Sequence, residues 1–418
     1  MIPKRYLVIF GTFLLSSLLY VDRACISAAK DPIWKDLDFN DTQWGWIMGA
    51  FSLGYALCQT PAGLFADRFG PRRLLTSVVA FWSIFTCLTG AAWNFSSMLV
   101  ARFLFGAGEA GSFPGCARAY YSWLPLSERG LAQGINFSGS RLGAALAMPL
   151  VAWMIGRIGW RPTFLMLGGI GFAWALFWYL WFRDEPSDHP GISDAERELI
   201  LSGRQSSGND DAEKPRLTAD ALIRSRNMWL AMVQYICSNF TFFFAISWSF
   251  PYLKRTYALT DVEAGLYSAI PLLCGAVGNW VAGTTVDRIY RIGRWRLSRQ
   301  LPAIVGFLLG AAGLIGTQYV DSALGYALFL SIAIFGADMT LSPSWAFCMD
   351  IGRHNAGAVS GTMNMAGNLA AFATTLAFPY LQQWTGSTTP FFMTAAALNV
   401  VAVAAWIMMR PERPLEEY

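Results

Sequence analysis

The sequence predicts an all-α membrane protein of twelve transmembrane helices arranged as two pseudo-symmetric six-helix bundles. Three observations carry that expectation. Only 31 Lys and Arg and 27 Asp and Glu occur in 418 residues, while 55% are hydrophobic and the mean hydropathy is +0.38; the charged share is about half that of a soluble protein. Apolar runs of the length that crosses a bilayer, about 20 residues, occur as six, a polar gap, and six more. A short glycine–aspartate–arginine motif follows both the second and the eighth run, and such repeats mark a pseudo-symmetric transporter with its site near the midplane, at the interface of the halves. This composition leaves no room for a sizeable soluble domain and excludes a disordered chain, a disulfide scaffold and a nucleic-acid binder.

The first run, 5–29, follows Lys4 and Arg5 as a signal peptide would. It is long enough to span and eleven further runs follow, so it is expected to stay as the first helix. Runs at 44–66, 73–92, 97–121, 131–155 and 162–182 complete an N-terminal bundle over 1–182. Residues 183–226 are polar, carry Pro, Gly and Ser, and form helix only around Ile192 to Leu201, which reads as a cytoplasmic linker. The second bundle, 227–418, contains runs at 227–250, 262–286, 300–318, 322–346, 356–380 and 389–409. One alternating set of loops holds most of the Lys and Arg, including Arg68, Arg72, Arg73, Arg129, Arg288, Arg291 and Arg299; the other holds Lys30, Lys35, Arg157, Arg161, Lys254 and Arg255. The positive-inside rule therefore places both termini and the linker in the cytoplasm.

Seven cysteines are scattered singly, and the two histidines, His189 and His354, sit in polar connecting segments. No metal centre, cofactor or intramembrane histidine relay is expected.

The recurring motif is Gly63-x-x-x-Asp67-Arg68-x-Gly70-x-Arg72, echoed by Gly283-x-x-x-Asp287-Arg288. Glycine lets two helix ends approach closely, the aspartate suits the positive N-terminus of a neighbouring helix, and the arginines stay at the interface. The motif reads as a gate latch. A weaker echo pairs Phe105-Gly106-Ala107-x-Glu109 with Phe335-Gly336-Ala337-Asp338, each followed by a proline, Pro114 and Pro343.

Asp22, Arg23, Arg102, Glu109, Arg141 and Asp338 lie well inside the spans, with Arg118 near enough to a cytoplasmic end to snorkel. Each interior charge costs at least about 2.5–3.5 kcal/mol, which makes it a functional candidate. Arg102 and Glu109 are seven residues apart, on one helix face but separated by about 10 Å along the axis. Each needs a partner elsewhere, and depth suggests Asp22 for Arg102, with Arg23 left facing the cavity. The arginines keep their charge while the carboxylates can be neutralised by protons. A protonated cavity is then net positive and suits an anion that pairs with an arginine, best through a bidentate carboxylate.

At these residues the sequence resembles, along essentially its whole length, the major facilitator superfamily. Within it, Tyr20-Val-Asp22-Arg23 and Arg102-Phe-Leu-Phe-Gly-Ala-Gly-Glu109-Ala-Gly-x-Phe-Pro114 resemble the anion:cation symporters, which include bacterial proton-coupled carriers of sugar acids, sialin and the vesicular glutamate carriers. The resemblance implies the major facilitator fold, Arg23 as the anchor of the substrate carboxylate, Asp22 and Glu109 as proton-coupling acids, and Arg102 as their electrostatic partner. By similar position it implies that Tyr20, Tyr55, Ser344, Trp345 and Asn364 line the cavity. Arg141 departs from the family pattern, and if it faces the cavity a second fixed positive charge would favour a substrate with a second carboxylate, or a larger acid reached from both sides.

The expected function is proton-coupled symport of a small organic anion, such as an aldonate, hexuronate or aldarate, across the inner membrane by alternating access. The expected partners are that carboxylate and the lipid bilayer, with protons as the coupling ion, no cofactor, no nucleic acid and a monomeric chain. An organic-anion exchanger is the alternative; an organophosphate antiporter would need an arginine that the seventh span lacks. A non-transporting sensor on the same fold is the reading from another class, and the linker adds no signalling domain to support it. An enzyme is not expected, because no nucleophile and base gather in one place.

Overall fold

Pro114 lacks the N–H that would bond the carbonyl of Ala110, and Pro343 stands in the same relation to Met339, so two long helices break at equivalent places. In the computed structural model, which describes residues 2–204 and 219–415, the fourth crossing is accordingly built from Phe95–Glu109 and Ser112–Trp123, and the tenth from Ala323–Met339 and Leu341–Gly352. The weak sequence echo between these two spans thus has a backbone consequence that a continuous 97–121 run did not anticipate.

The crossings are α1 (Lys4–Ala28), α2 (Asp41–Phe69), α3 (Pro71–Gly90), α4 (Phe95–Glu109 with Ser112–Trp123), α5 (Arg129–Ile158) and α6 (Trp160–Trp181). They continue with α7 (Arg226–Ser247), α8 (Asp261–Arg291), α9 (Trp295–Gly316), α10 (the Ala323–Met339 pair), α11 (Ala356–Thr385) and α12 (Thr389–Met408). No strand forms among the described residues. Eight stretches are long and apolar enough to cross a membrane, and bent α5 makes nine. One of the eight, Ala323–Thr385, has 63 residues, about three crossings long, and holds α10 and α11. The remaining two crossings are α2, whose 29 residues suffice in length but are diluted by Ser52, Gln59, Thr60 and Asp67, and the broken α4. Lipid-facing and core-facing residues separate cleanly on α6, where Leu165, Phe172, Leu176 and Leu180 are exposed and Phe164, Leu167, Trp174 and Trp178 are buried.

Two compact units form. One comprises Met1–Pro125, Gly139–Arg204 and His354–Thr362; the other comprises Leu126–Ser138, Gln205–Arg353 and Met363–Tyr418. Each therefore contains a short helix start from the other half of the sequence. In the first unit Ile26, Ile33, Ile47, Met98, Phe164 and Leu167 share a core; in the second Phe244, Leu330, Phe378, Phe391 and Phe392 do so.

Of the linker expected at 183–226, residues 205–218 lie outside the described residues, as do residues 416–418 of the tail. The portion up to Arg204 is a docked strap. Glu196, on a helix over Asp194–Gly203, accepts hydrogen bonds from the Lys4 and Arg5 backbone N–H groups, both at 3.0 Å, and so caps α1. Asp184 accepts from the Arg72 N–H at 2.7 Å at the start of α3; burial pushes its carboxyl above the ordinary range, which that N–H partly opposes. His189 packs edge-on to Trp123 and Trp181, and burial, with Lys4 and Arg183 nearby, holds its imidazole below the ordinary value.

Candidate functional site

Gly54 and Gly106 bring α2 and α4 together at backbone distance. A Cβ at Gly54 would lie 2.1 Å from the Phe103 carbonyl oxygen, and one at Gly106 would lie 2.2 Å from that of Phe51. This contact carries Phe51 and Tyr55, one turn apart on α2, to the interior charges. Arg23 Nε donates to Glu109 Oε2 at 2.6 Å. The Arg23 guanidinium carbon lies 4.4 Å from the centroid of the Tyr55 ring, 5.0 Å from Tyr20 and 5.2 Å from Phe51. Arg102 uses the same Phe51 ring at 5.2 Å and Phe105 at 4.5 Å. Cations over aromatic faces gain most where water is excluded; Glu109 and Arg102 are buried, whereas the Arg23 side chain stays 19% exposed, with Nη2 making no hydrogen bond.

The expected pairing of Asp22 with Arg102 does not occur. Glu109 takes Arg23 instead, and neither Asp22 oxygen has a hydrogen bond although Asp22 is 1% exposed. Adjacent residues on a helix point about 100° apart: Arg23 leaves α1 toward Glu109 and the α2 aromatics, while Asp22 is directed at Trp82 on α3, close to Arg102 without touching it. Arg23, Glu109, Tyr20 and Tyr55 are therefore gathered in one place. Phe51 was missed; its one sequence signal is its position four residues before Tyr55.

Arg141 is buried in the first unit. Gly139 and Gly143, on either side of it, pack against the backbone of Phe13 and Ser17 on α1; two residues turn a helix by about 200°, so Arg141 leaves α5 on the other side of that seam. Ser344, Trp345 and Asn364 belong to the second unit. Trp345 donates to Tyr235 Oη at 3.1 Å, and its ring lies 5.4 Å from that of Phe137, tilted by 60°. Ser344 is fully buried, its hydroxyl 2.6 Å from the Thr340 carbonyl and 3.1 Å from Gln234 Oε1, so in this arrangement it packs helices together and does not line a cavity. Asn364 accepts from Asn368 at 3.3 Å. Gln234 and Tyr235, polar residues within apolar α7, were not singled out by the sequence. Asp338 is buried, its carboxylate beside Gly275.

The motif forms contacts of the expected kind. Asp67 accepts from Gly357 and Ala358 N–H at 2.9 and 2.7 Å, at the N-terminus of α11. A Cβ at Gly63 would lie 2.3 Å from the Gly357 carbonyl oxygen. In the second unit Asp287 accepts from Gly130 and Leu131 at 2.9 and 2.8 Å, at the start of α5, and Gly283 approaches Gly130. One turn deeper, Gly361 meets the Gln59 backbone and Gly134 that of Asn279. Gly70 takes a φ of +81° beside Asp184, Arg72 Nε donates to the Tyr179 carbonyl, and Arg68 lies over the Phe69 ring.

Three arginines assigned to the interface prove buried. Arg118 does not snorkel; it sits 3.8 Å from Asp67 and donates to Ser122 at 2.6 Å. Arg129 and Arg299 are fully buried on Asp350, at 3.5 and 2.8 Å, and Trp295 Nε1 donates to the same carboxylate at 3.0 Å. Proximity to helix ends suggested loops, whereas a partner inside the bundle decides burial. Among the described residues no cluster of three or more His, Cys, Asp or Glu could hold a metal.

A family model described as Major Facilitator Superfamily matches residues 12–375. The chain is 32% identical over 406 residues to the probable sulfoacetate transporter SauU of Cupriavidus necator, covering 97% of this chain and 94% of that protein. It is 31% identical over 420 residues to the probable galactarate/D-glucarate transporter GudP of Bacillus subtilis, covering 97% and 91%. The solved structure of the proton:xylose symporter XylE superposes with a TM-score of 0.78 at 14% identity, covering 99% of this chain and 98% of that one; at that identity the likeness concerns the fold.

Proposed function

The chain belongs to the major facilitator superfamily, whose members are transporters and not enzymes, and from that premise we propose that it carries a small doubly charged organic anion across the inner membrane together with protons. The observation that carries this reading is the Arg23–Glu109 pair, 2.6 Å long and set among Tyr20, Phe51 and Tyr55. Arg23 has one edge held by Glu109 and Nη2 unengaged. A substrate carboxylate and Glu109 compete for the same guanidinium, so a proton on Glu109 frees Arg23 and admits the anion. Proton and substrate then load together. Asp22 is the second coupling acid: an uncharged carboxyl tolerates a sealed site in which neither oxygen is hydrogen-bonded, and a carboxylate does not. Arg102, held by Phe51 and Phe105, keeps the region positive.

Sulfoacetate carries a sulfonate and a carboxylate, and galactarate two carboxylates, so the substrates in the names of SauU and GudP are dianions. Arg141, a further buried cation in the unit that holds Arg23, suits the second acidic group. The carrier cycles by alternating access as a monomer, with Asp67 and Asp287 as cytoplasmic latches and both termini in the cytoplasm.

Two tests address this reading. Glu109→Gln retains exchange of labelled glucarate in proteoliposomes but loses accumulation against a gradient, the ratio falling to about one because the step that links proton to anion is gone. Undiminished uphill uptake removes Glu109 from coupling. Arg141→Gln weakens diacids more than monoacids, by about tenfold for the loss of one charge-assisted contact; an unchanged ranking in competition assays means Arg141 does not read the second group.

A further inference from the structure

Trp82 on α3 is fully buried and its indole N–H has no hydrogen-bond partner. That group is a donor only, and buried Trp N–H groups normally find an acceptor. Beside it lies Asp22, also buried, with both carboxyl oxygens unpartnered. The indole is held there from two further helices. Gly108 on α4 packs on the base of the side chain so closely that a Cβ would stand 3.2 Å from the Trp82 Cβ, and a Cβ at Gly171 on α6 would stand 3.7 Å from Nε1. An unused donor is thus fixed next to a carboxyl that has no other hydrogen bond.

We propose that Trp82 is a positioning residue of the transport cycle, whose indole N–H closes a hydrogen bond to Asp22 when that carboxyl gives up its proton. This rests on Asp22 being a coupling acid. The ionisable groups around Asp22 are Arg23 and Cys25 on its own helix, Cys87 on α3, and Arg102 and Glu109 on α4. Arg23 is engaged by Glu109, and the Arg102 guanidinium faces Phe51 and Phe105. Trp82 is the strong neutral donor in the set, the Cys25 and Cys87 thiols being weak ones, so it can receive the carboxylate without shifting either guanidinium. In the protonated state the carboxyl needs no such donor, so the Trp82 contact matters most to the carboxylate.

The test uses the full chain in proteoliposomes with labelled glucarate as probe. Trp82→Phe keeps a flat ring and removes the N–H. The pH at half-maximal proton-driven uptake then moves upward by about one unit, the size of one lost hydrogen bond to a charged group, and accumulation falls about tenfold while exchange at pH 6 falls by less than about threefold. A wild-type pH profile overturns the proposal, and so does an equal loss of exchange and accumulation with the profile unmoved, which is a packing effect. Asp22→Asn is assayed beside it. If that variant still accumulates substrate uphill, the coupling role of Asp22 fails and the proposal fails with it; if it does not, the Trp82→Phe profile judges the proposal alone. A second measurement needs no Trp82 variant: the ultraviolet resonance Raman band sensitive to indole N–H bonding changes with pH in the wild-type chain, and the change is absent in Asp22→Asn. No Asp22-dependent change also overturns it.

Discussion

Replacing Arg23 by glutamine is expected to abolish saturable uptake, and replacing it by lysine to restore little. Arg23 lies among three aromatic rings and 2.6 Å from Glu109, a setting that uses a planar, delocalised cation. Lysine has the charge but neither the fork nor the stacking surface. Truncating one partner of a buried, hydrogen-bonded charge pair costs about 2–5 kcal/mol, and even the lower end is about thirtyfold in affinity. Two effects add in the glutamine variant, because Glu109, fully buried, also loses its counter-charge. Calorimetric titration with glucarate, alongside uptake, separates weakened binding from weakened coupling. Binding as tight as wild type in Arg23→Gln would place the anion anchor elsewhere.

The second large effect is on stability. Asp350→Ala removes the carboxylate that the fully buried Arg129 and Arg299 share and leaves Trp295 Nε1 without its acceptor. Breaking a buried pair from one side costs about 3–5 kcal/mol, much of the stability of a typical domain. Thermal unfolding in detergent is expected to show a lowered midpoint for Asp350→Ala, with Asp350→Asn in between because it keeps one acceptor for Trp295. A combined Asp350→Leu, Arg299→Met variant regains part of the loss by removing charge and counter-charge together. An unchanged midpoint in Asp350→Ala would mean that the arginines reach water or another carboxylate once Asp350 is gone. This cluster belongs to the second unit and the Arg23 pair to the first, so the two sets of variants report on different properties.

Much of the proposed site was legible because charge is conspicuous in an apolar span. Asp22, Arg23, Arg102 and Glu109 stood out on that ground, and Asp67 stood out because its motif occurs twice. Phe51 and Trp82 did not, since aromatic residues are ordinary in membrane helices and nothing local distinguishes one that covers an arginine from one that faces lipid. Arg118, Arg129 and Arg299 were misread for the complementary reason: nearness to a helix end signals an interface until a partner such as Asp67 or Asp350 is known.

The sequence by itself determined the all-helical membrane fold, the duplication and the residues whose charge demands an explanation. These follow from hydropathy, from spacing and from the cost of a charge in hydrocarbon, all local quantities. The tertiary structure alone decided which carboxylate holds Arg23. Helix periodicity says that Asp22 and Arg23 diverge, but not what stands at either azimuth; the glycine contact of α2 with α4 supplies Phe51 and Tyr55 at one, and the packing of α3 against α4 and α6 supplies Trp82 at the other.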